Sequence, residues 1–473
     1  MPSPLLSSLL ALAASDTLPF HMPGHHRAAA ALPPELPYSL DITELPGFDD
    51  LHRPRALLRD SMARAAALFG SDAACYCVNG STGALLAGIR AMTRRGDAVL
   101  VARNCHASVF HAVELCDLRP HWLEPATHAE SGLMLGLPPR SLQAALEKHP
   151  DAALCVVTSP TYEGALSDIA AIAEILHAHN VPLLVDEAHG AHLGLANGLG
   201  FPQSAVRLGA DVAVQSLHKT LPALTQAAIL HRCGSRVDVP RLEHQLAVFQ
   251  TSSPSYPLLA SMDWLVGQSE RWRRERFCAW RERLAHMHEK CAPYAALRAA
   301  DTGGEAFFDP SKLALDARRF GMTGQALAQS LRQRGIEPEY ALGHIVLLMT
   351  SCMDAPEHID RLIAALEDLA AHAPIDTSGA APPPCRLPPL GEQEIPLAEA
   401  MELPHRPLPR EDALGRICAE YVWAYPPGIP LLVPGQRVTG AFLAAAAALG
   451  AGGGALRRTY GDEMGELVCV QGR

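Results

Sequence analysis

The chain has 473 residues, of which 48% are hydrophobic and 19% are charged. This composition excludes a disordered chain and predicts a globular protein of roughly two or three domains. The formal net charge of −11 argues against a nucleic-acid partner. No apolar run reaches the roughly 20 residues that a membrane-spanning helix needs, and no His or Cys spacing is typical of a metal site. We therefore expect a cytoplasmic protein without a metal ion or a disulfide framework.

The predicted elements begin with a short apolar helix at residues 4–15, which lacks the preceding basic residues of a secretory signal. From residue 51 to about residue 275, apolar strand-like runs alternate with helical stretches, which indicates a parallel or mixed α/β sheet. The predicted strands are 74–78, 98–102, 154–158, 182–185, 211–215 and 227–231. The predicted helices are 56–69, 83–92 and 169–179, followed by a charged helix at 266–290 that is a candidate link between domains.

The rest of the chain divides into three further segments. A smaller α/β unit is predicted at 291–372, with helices at 324–334 and 356–371 and a strand at 345–350. The proline-rich residues 373–396 are typical of an extended linker. The last segment contains a run of strong helix-forming residues at 441–449. A glycine-rich run follows and ends the predicted helix.

An aspartate and a lysine come at the ends of two predicted strands. Asp186 closes the strand at 182–185, and Lys219 comes just after the strand at 211–215. A pyridoxal phosphate (PLP) enzyme needs this pair, because the lysine forms a Schiff base and the aspartate keeps the pyridine nitrogen protonated. Ligands of α/β proteins bind at such strand ends. A helix cap or a solvated loop end is the alternative for either residue alone.

A glycine-containing turn precedes the predicted helix at 83–92. Residues 79–83 read Asn-Gly-Ser-Thr-Gly. Glycine allows a tight turn close to an anion, and the helix N-terminus adds N–H groups beside the hydroxyls of Ser81 and Thr82. The spacing is not that of a P-loop, and an ordinary helix cap is the alternative. Beside Asp186 and Lys219, the pattern favours a phosphate site.

Histidines and small residues near these strand ends are further candidates. His106 could stack on a pyridine ring or act as an acid near the reacting carbon. If the chain stays extended after Asp186, Ala188 projects to the same side and could lie under the ring. His189 is expected either to bond the phenolic oxygen of the ring or to be a turn residue.

Two polar segments complete the set of candidates for the phosphate. Ser216 and His218 flank the lysine segment, and either could reach the phosphate. The hydroxyl-rich residues 251–256 are, from composition alone, only a loop.

The ordered motifs of the chain resemble those of the PLP-dependent Orn/Lys/Arg decarboxylases, which have the aspartate-aminotransferase fold (fold type I). The matching segments are residues 20–25, 41–52, 78–83, 103–106, 186–189, 215–226, 415–420 and 425–435. The chain is similar to the short form of this family, which lacks an N-terminal wing domain. The resemblance implies an entrance-lining segment at 1–50, a large PLP-binding domain at 51–290, a small α/β domain at 291–372, a linker at 373–396 and a C-terminal α+β decarboxylase domain at 397–473.

The resemblance also implies a role for each candidate residue. Lys219 would carry PLP, Asp186 would pair with its ring nitrogen and His106 would stack on the ring. The other residues implied to bind the cofactor are Gly80, Ser81, Thr82, Ala188, His189, Ser216 and His218. Thr251 would reach the phosphate of a neighbouring subunit, so the resemblance implies a homodimer or a higher homo-oligomer with shared active sites.

The function predicted from these residues is α-decarboxylation of arginine, lysine or ornithine to the corresponding amine, in polyamine metabolism. The acids that could bind the substrate cation are Glu44, Asp49, Glu337 and Glu339, each of which could instead be a solvated surface acid. An aminotransferase, an α-oxoamine synthase and a non-catalytic PLP-binding homologue remain alternatives. The sequence departs from the family at His26-Arg27, where the family has a lysine, and at Gln436, where the family has a glutamate.

Overall fold

The computed structural model describes residues 3–15, 17–18, 21–23, 25, 33, 35–372, 388–425, 428–451, 455–461 and 465–472. Its helices are α1 (Pro4–Ala13), α2 (Leu57–Phe69), α3 (Gly80–Met92), α4 (Ala107–Leu115), α5 (Pro139–Lys148), α6 (Ile169–Ala178), α7 (Ala191–Leu195), α8 (Leu217–Thr220), α9 (Val239–Phe249), α10 (Tyr256–Val266), α11 (Glu270–Cys291), α12 (Gly324–Gln333), α13 (Pro356–Ala371), α14 (Leu397–Glu402) and α15 (Gly440–Ala451).

The strands alternate with these helices along most of the chain. They are β1 (Ala73–Cys77), β2 (Ala98–Ala102), β3 (Arg119–Leu123), β4 (Ala152–Thr158), β5 (Leu183–Asp186), β6 (Val212–Ser216), β7 (Ala228–Arg232), β8 (Lys312–Asp316), β9 (Tyr340–Leu342), β10 (Ile345–Met349), β11 (His405–Pro409), β12 (Val422–Tyr425), β13 (Ile429–Leu432), β14 (Ala455–Arg458) and β15 (Glu466–Val470). Two compact units divide the chain: a first unit of Met1–Met92 with Pro182–Cys278, and a second unit of Thr93–Val181 with Ala279–Arg473.

The first unit contains strands in the order β1-β7-β6-β5. β7 runs antiparallel to both β1 and β6, and β6 is parallel to β5. Ala228 of β7 lies opposite Cys77 and also opposite Ser216, and Asp186 lies opposite Val214. β1, β5 and β6 therefore point in one direction, and their carboxyl ends share one edge.

Helices cover the strands of the first unit because the strand residues are apolar on both faces. Every residue of β5 and of β6 is buried. α3 packs closely on these strands at Gly88, where a Cβ atom would lie 3.0 Å from Leu184 Cδ1. The N-terminal helix was predicted at 4–15 and is confirmed as α1, which buries Leu5 and Leu9 completely. Its N-cap residue Ser3 also donates a hydrogen bond to Asp263.

The second unit contains three neighbouring parallel strands and several smaller sheets. β4, β2 and β3 are parallel neighbours, whereas β8, β10 and β9 form an antiparallel sheet. Towards the end of the chain, β11 pairs with β15, and β12 lies between β13 and β14. The apolar residues of α15 pack into a core with the last strands, in which Phe442 is 2% exposed.

The predicted linker falls largely on residues 373–387, which lie outside the described residues, as do His26 and Arg27. The boundaries of the five predicted segments remain predictions. Gln436 is described and is fully buried. Its Nε2 donates to Gly391 O over 2.6 Å, and its Oε1 accepts the Val433 N–H over 3.3 Å. The amide therefore serves the packing of the C-terminal segment.

Candidate active site

The carboxyl ends of three strands in the first unit carry most of the predicted site residues. Asp186 is the last residue of β5, Ser216 is the last residue of β6, and Asn79 comes just after β1. Because the three strands point the same way, these residues lie at one edge. Polar residues at such an edge commonly bind ligands. The structure thus brings the glycine-containing turn, the acid and the lysine segment to one edge of one unit.

The turn after β1 leads directly into α3. Gly80 opens this thirteen-residue helix with φ +71°, a left-handed conformation that favours glycine. Ser81 is half-buried and Thr82 is exposed in the first helical turn. Ser216 Oγ donates to Ser81 Oγ over 3.0 Å. The hydroxyls and the backbone N–H groups of the helix N-terminus together are suited to a phosphate group.

Asp186 is a buried acid whose carboxyl is held by the following turn. It is 2% exposed, and its Oδ1 accepts the Ala188 N–H over 3.1 Å. Burial raises the pKa of this carboxyl, although Lys219 and the Ala188 N–H partly oppose that rise. The extended path on which the placement of Ala188 depended is not present, because the chain turns at residues 188–189 and Gly190 N–H donates to Glu187 O over 2.9 Å. A position of Ala188 under a ring remains a prediction.

Lys219 lies in the short helix α8, just beyond β6. Its side chain is partly exposed, and its Nζ lies 3.0 Å from Nε2 of His189. His189 lies in the turn and is 7% exposed, and its bond to the phenolic oxygen of the ring remains a prediction. Because His189 comes three positions after Asp186, the same turn holds the acid and contacts the amine. The charge of Lys219 also acts to lower the pKa of Asp186, against the effect of burial.

His218 and Thr251 point to partners other than Ser81. His218 Nδ1 donates to Ala227 O over 3.0 Å, and burial together with the Lys219 charge lowers its pKa. Thr251 is exposed, and its hydroxyl donates to Ser253 O over 3.2 Å within its own loop. The contacts of the first unit therefore do not bring Thr251 to the predicted phosphate turn, and its role at a neighbouring subunit remains a prediction.

His106 belongs to the second unit, where it caps the N-terminus of α4. Its Nδ1 accepts the Ser108 N–H over 3.2 Å and lies 2.9 Å from Ser108 Oγ. The residue is exposed. Its predicted position over a pyridine ring remains a prediction.

Three of the four acids predicted to bind a substrate cation have other partners. Asp49 accepts backbone N–H groups at the start of α2, and these bonds outweigh burial and lower its pKa. Glu337 accepts from Arg332 Nε over 2.7 Å, and Glu339 from a tyrosine hydroxyl over 2.5 Å. Glu44 differs, because its Oε1 is buried and has no hydrogen-bond partner within the described part of the chain.

The sequence patterns did not single out the residues that support the turn at Asp186. Glu187 and Gln215 are both buried, and Gln215 Nε2 donates to Glu187 Oε2 over 2.6 Å. One signal was available, because a carboxylate and an amide within apolar strand segments need partners when they are buried. Their partners come from distant segments and could not be named without the fold.

The chemistry of this edge fits PLP, which has a basic ring nitrogen, an aldehyde and a phosphate. The fit to PLP is tested at the Asp186 carboxyl. Burial raises the pKa of this carboxyl, so a cationic partner such as the protonated ring nitrogen would stabilise its charged form. Lys219 supplies an amine near that carboxyl. The Ser81–Ser216 pair at the start of α3 supplies hydroxyl and backbone donors for an anion. Among the described residues, no group of three or more His, Cys, Asp or Glu side chains is arranged to hold a metal ion.

Comparisons with known proteins identify the family. A model described as "Orn/Lys/Arg decarboxylase, major domain" matches residues 3–276, and one described as "Orn/Lys/Arg decarboxylase, C-terminal domain" matches residues 399–449. An arginine decarboxylase of Bacillus subtilis (strain 168) is 32% identical over 462 residues, which cover 92% of this chain and 91% of that protein.

Solved structures agree on the fold. The Francisella novicida lysine decarboxylase LdcF matches 99% of this chain and 80% of its own with a TM-score of 0.81 at 19% identity. An alanine–glyoxylate aminotransferase from Nostoc sp. matches 70% of this chain and 89% of its own with a TM-score of 0.54 at 17% identity. Within the described residues, no helix is both long and apolar enough to cross a membrane. The chain therefore belongs to the Orn/Lys/Arg decarboxylase family of amino-acid decarboxylases and has the predicted aspartate-aminotransferase-like fold.

Proposed function

We propose that the chain decarboxylates a basic amino acid with PLP held by Lys219, and that arginine is the first substrate to test. The observation that carries the proposal is the contact of Lys219 with His189, in the turn that also holds Asp186. Arginine is favoured because the similarity to an arginine decarboxylase extends over nearly the whole chain. Lysine and ornithine are the other candidates. The amine product would serve polyamine metabolism, in a cytoplasmic homodimer or higher homo-oligomer.

Each residue would contribute a separate part of the chemistry. When bound, PLP supplies an electron-withdrawing ring that accepts the electron pair left as CO2 departs. Asp186 would keep the proton on the ring nitrogen through a charge-assisted hydrogen bond. Lys219 would hold the cofactor and later return a proton to the substrate α-carbon, with its amine oriented by His189. The buried Oε1 of Glu44 is the acceptor that we propose for the cationic end of the substrate.

The test is a competition assay. Purified protein with added PLP is incubated with equimolar arginine, lysine and ornithine, while CO2 and the amines are measured. We expect agmatine from arginine to dominate. Lys219→Ala should lower the rate by at least about a hundredfold. Lys290→Ala, at an exposed position near the end of α11, is the matched control and should leave the rate unchanged.

Two outcomes would contradict the proposal in different ways. Transfer of the substrate amino group without release of CO2 would indicate an aminotransferase. The visible absorbance of bound PLP, without an amine from any of the three substrates, would indicate a non-catalytic homologue.

A further inference from the structure

A buried chain of hydrogen bonds lies behind the turn at Asp186. We call it the Glu187 network, and its members are Ser71, Glu187, Ser204, Gln215 and His231. Glu187 Oε2 accepts from Gln215 Nε2 over 2.6 Å and from Ser204 Oγ over 2.7 Å. His231 Nε2 lies 3.2 Å from Gln215 Oε1, and Ser71 Oγ lies 3.0 Å from His231 Nδ1. Apart from Ser71, each member is at most 1% exposed.

The donors of the Glu187 network point in one direction. An amide oxygen only accepts, so His231 Nε2 donates to Gln215, and His231 Nδ1 accepts from Ser71. Burial lowers the pKa of His231 to about 3, so the imidazole is neutral and carries one ring proton. Gln215 therefore turns its N–H towards Glu187, whose other oxygen accepts the Ala205 N–H over 2.8 Å. Glu187 is therefore the acceptor at the end of this direction.

The network joins the two strand ends that carry the site. Glu187 directly follows Asp186, and its backbone N–H donates to Val214 O over 2.9 Å. Gln215 precedes Ser216, and side chains alternate along a strand, so Gln215 and Ser216 lie on opposite faces. The Glu187–Gln215 hydrogen bond therefore ties the end of β5 to the end of β6 from the face opposite Ser216.

We propose that Glu187 and Gln215 are positioning residues that set the spacing between Asp186 and Lys219, an inference that rests on the proposed function. A cofactor bound at its ring nitrogen and at its aldehyde carbon needs both partners fixed to a fraction of an ångström. Strand pairing fixes the register of β5 and β6. The last pair is Asp186 with Val214, so Asp186 lies at the end of this pairing and Lys219 lies beyond it. The Glu187–Gln215 bond adds a side-chain constraint to the backbone bond between Glu187 and Val214, and it acts on Asp186 because Glu187 directly follows that residue.

Exchanging the side chains of Glu187 and Gln215 distinguishes a role in positioning the site from a role in folding. In Gln215→Glu, two buried carboxylates face each other and keep their contact only while they share a proton. The titratable groups in contact with position 215 are Glu187 from the end of β5 and His231 from β7. The contact is therefore lost as pH rises and the pair becomes fully ionised. In the double variant Glu187→Gln/Gln215→Glu, a single carboxylate remains, and it accepts from the new amide and from His231.

The measured quantity is the Kd for PLP, obtained from the visible absorbance of the bound cofactor at about pH 6 and about pH 9. Gln215→Glu should raise this Kd about tenfold at the higher pH, equivalent to about 1.4 kcal/mol, and less than about threefold at the lower pH. The double variant should stay within about threefold of wild type at both values. Gln215→Met keeps the volume, removes the side-chain hydrogen bonds to Glu187, Ser204 and His231, and should raise the Kd about tenfold at both pH values.

Ser61→Ala is the matched control for a loss of stability. Ser61 is fully buried in the first unit, where its hydroxyl donates to Asp263 over 2.5 Å and lies 2.7 Å from Tyr76 Oη. This variant should lower Tm and leave the Kd for PLP unchanged. If the position 215 variants behave in the same way, the network is merely structural and the inference is overturned.

The exchange also distinguishes this inference from the proposed function. If the double variant is no better than Gln215→Glu at the higher pH, the Glu187–Gln215 contact does not act as proposed. If wild type lacks a visible PLP absorbance that Lys219→Ala removes, the proposed function itself fails, and this inference fails with it.

Discussion

Lys219 Nζ lies 3.0 Å from His189 Nε2, so an amine just beyond β6 is in contact with an imidazole in the turn after β5. The turn also donates the Ala188 N–H to the Asp186 carboxyl. One short loop therefore orients both the acid and the amine. Removal of the His189 side chain should therefore change the position of the Lys219 amine with little effect on the fold.

We expect His189→Ala to raise the Kd for PLP by about tenfold, because Lys219 would lose the partner that holds its side chain near the strand ends. His189→Gln keeps an acceptor within reach and should stay within about threefold of wild type. The measurement is the retention of visible absorbance after dialysis. His179→Ala, at an exposed position after α6, is the control. Equal losses in the Ala and Gln variants would contradict an orienting role.

The raised pKa of Asp186 predicts a pH dependence of stability in the cofactor-free protein. An acid whose pKa is raised on folding contributes its stability below its ordinary pKa and loses it as pH rises through the raised value. The unfolding free energy of wild type should therefore fall relative to that of Asp186→Asn as pH rises above about 4, the ordinary pKa of an aspartate. Added PLP should remove this loss, because a cationic ring nitrogen would pair with the carboxylate. Urea unfolding with and without PLP measures both effects.

Asp168→Asn is the matched control for that experiment. Asp168 caps α6 by accepting the Ala171 N–H over 3.0 Å, and asparagine caps a helix about as well. The unfolding free energy of this variant should therefore stay close to that of wild type. A difference between Asp186→Asn and wild type that stays constant with pH would show that the buried carboxyl does not titrate as expected.

The role of Thr251 can be tested by mixing subunits. If Thr251 reaches the phosphate of a neighbouring subunit, Thr251→Ala should raise the Kd for PLP, and Lys219→Ala should abolish activity. In a mixed dimer of the two variants, one site receives an intact lysine from one subunit and an intact threonine from the other. Co-expression should therefore restore part of the activity of wild type. If the mixture has only the activity of Thr251→Ala, the active sites are not shared between subunits. Ser253→Ala is the control for a substitution in the same loop.

Much of the fold could be predicted because apolar runs and helix caps are local signals. The strand at 98–102 and the helix at 356–371 are confirmed to the residue. α9 and α10 were missed, although each begins with an N-cap side chain and a proline that are typical of a helix start. β11 was missed because it contains two prolines, and it forms by pairing with β15 at the other end of the last segment.

The candidate site shows the same division between local and distant signals. Asp186 and Lys219 could be found because each follows a buried strand run, and the order of strands brings them to one edge. The turn after Asp186 could not be found from a period-two pattern, since it depends on the Ala188 N–H finding the carboxyl. The Glu187–Gln215 contact depends on two strands becoming neighbours, so no local pattern encodes it.

Gln436 offers the sharpest test of a departure from the family. The family resemblance implies a glutamate here, and in this chain the fully buried amide both donates to Gly391 O and accepts the Val433 N–H. Gln436→Glu would place a carboxylate against a carbonyl oxygen, and the unfolding free energy should fall by about 1–3 kcal/mol at neutral pH. A protonated glutamate can still donate, so the loss should shrink towards acid pH, as expected when folding raises the pKa of an acid.

The control for this substitution is Gln143→Glu, at an exposed position of α5, which should change the unfolding free energy by less than about 0.5 kcal/mol. Urea unfolding of both variants across the acid range measures the difference. If Gln436→Glu were as stable as wild type at neutral pH and more active, the amide would not be needed for packing. The departure would then have to be explained by the substrate rather than by the carbonyl that Gln436 satisfies, because a buried carboxylate facing a carbonyl oxygen without a proton between them should have cost stability.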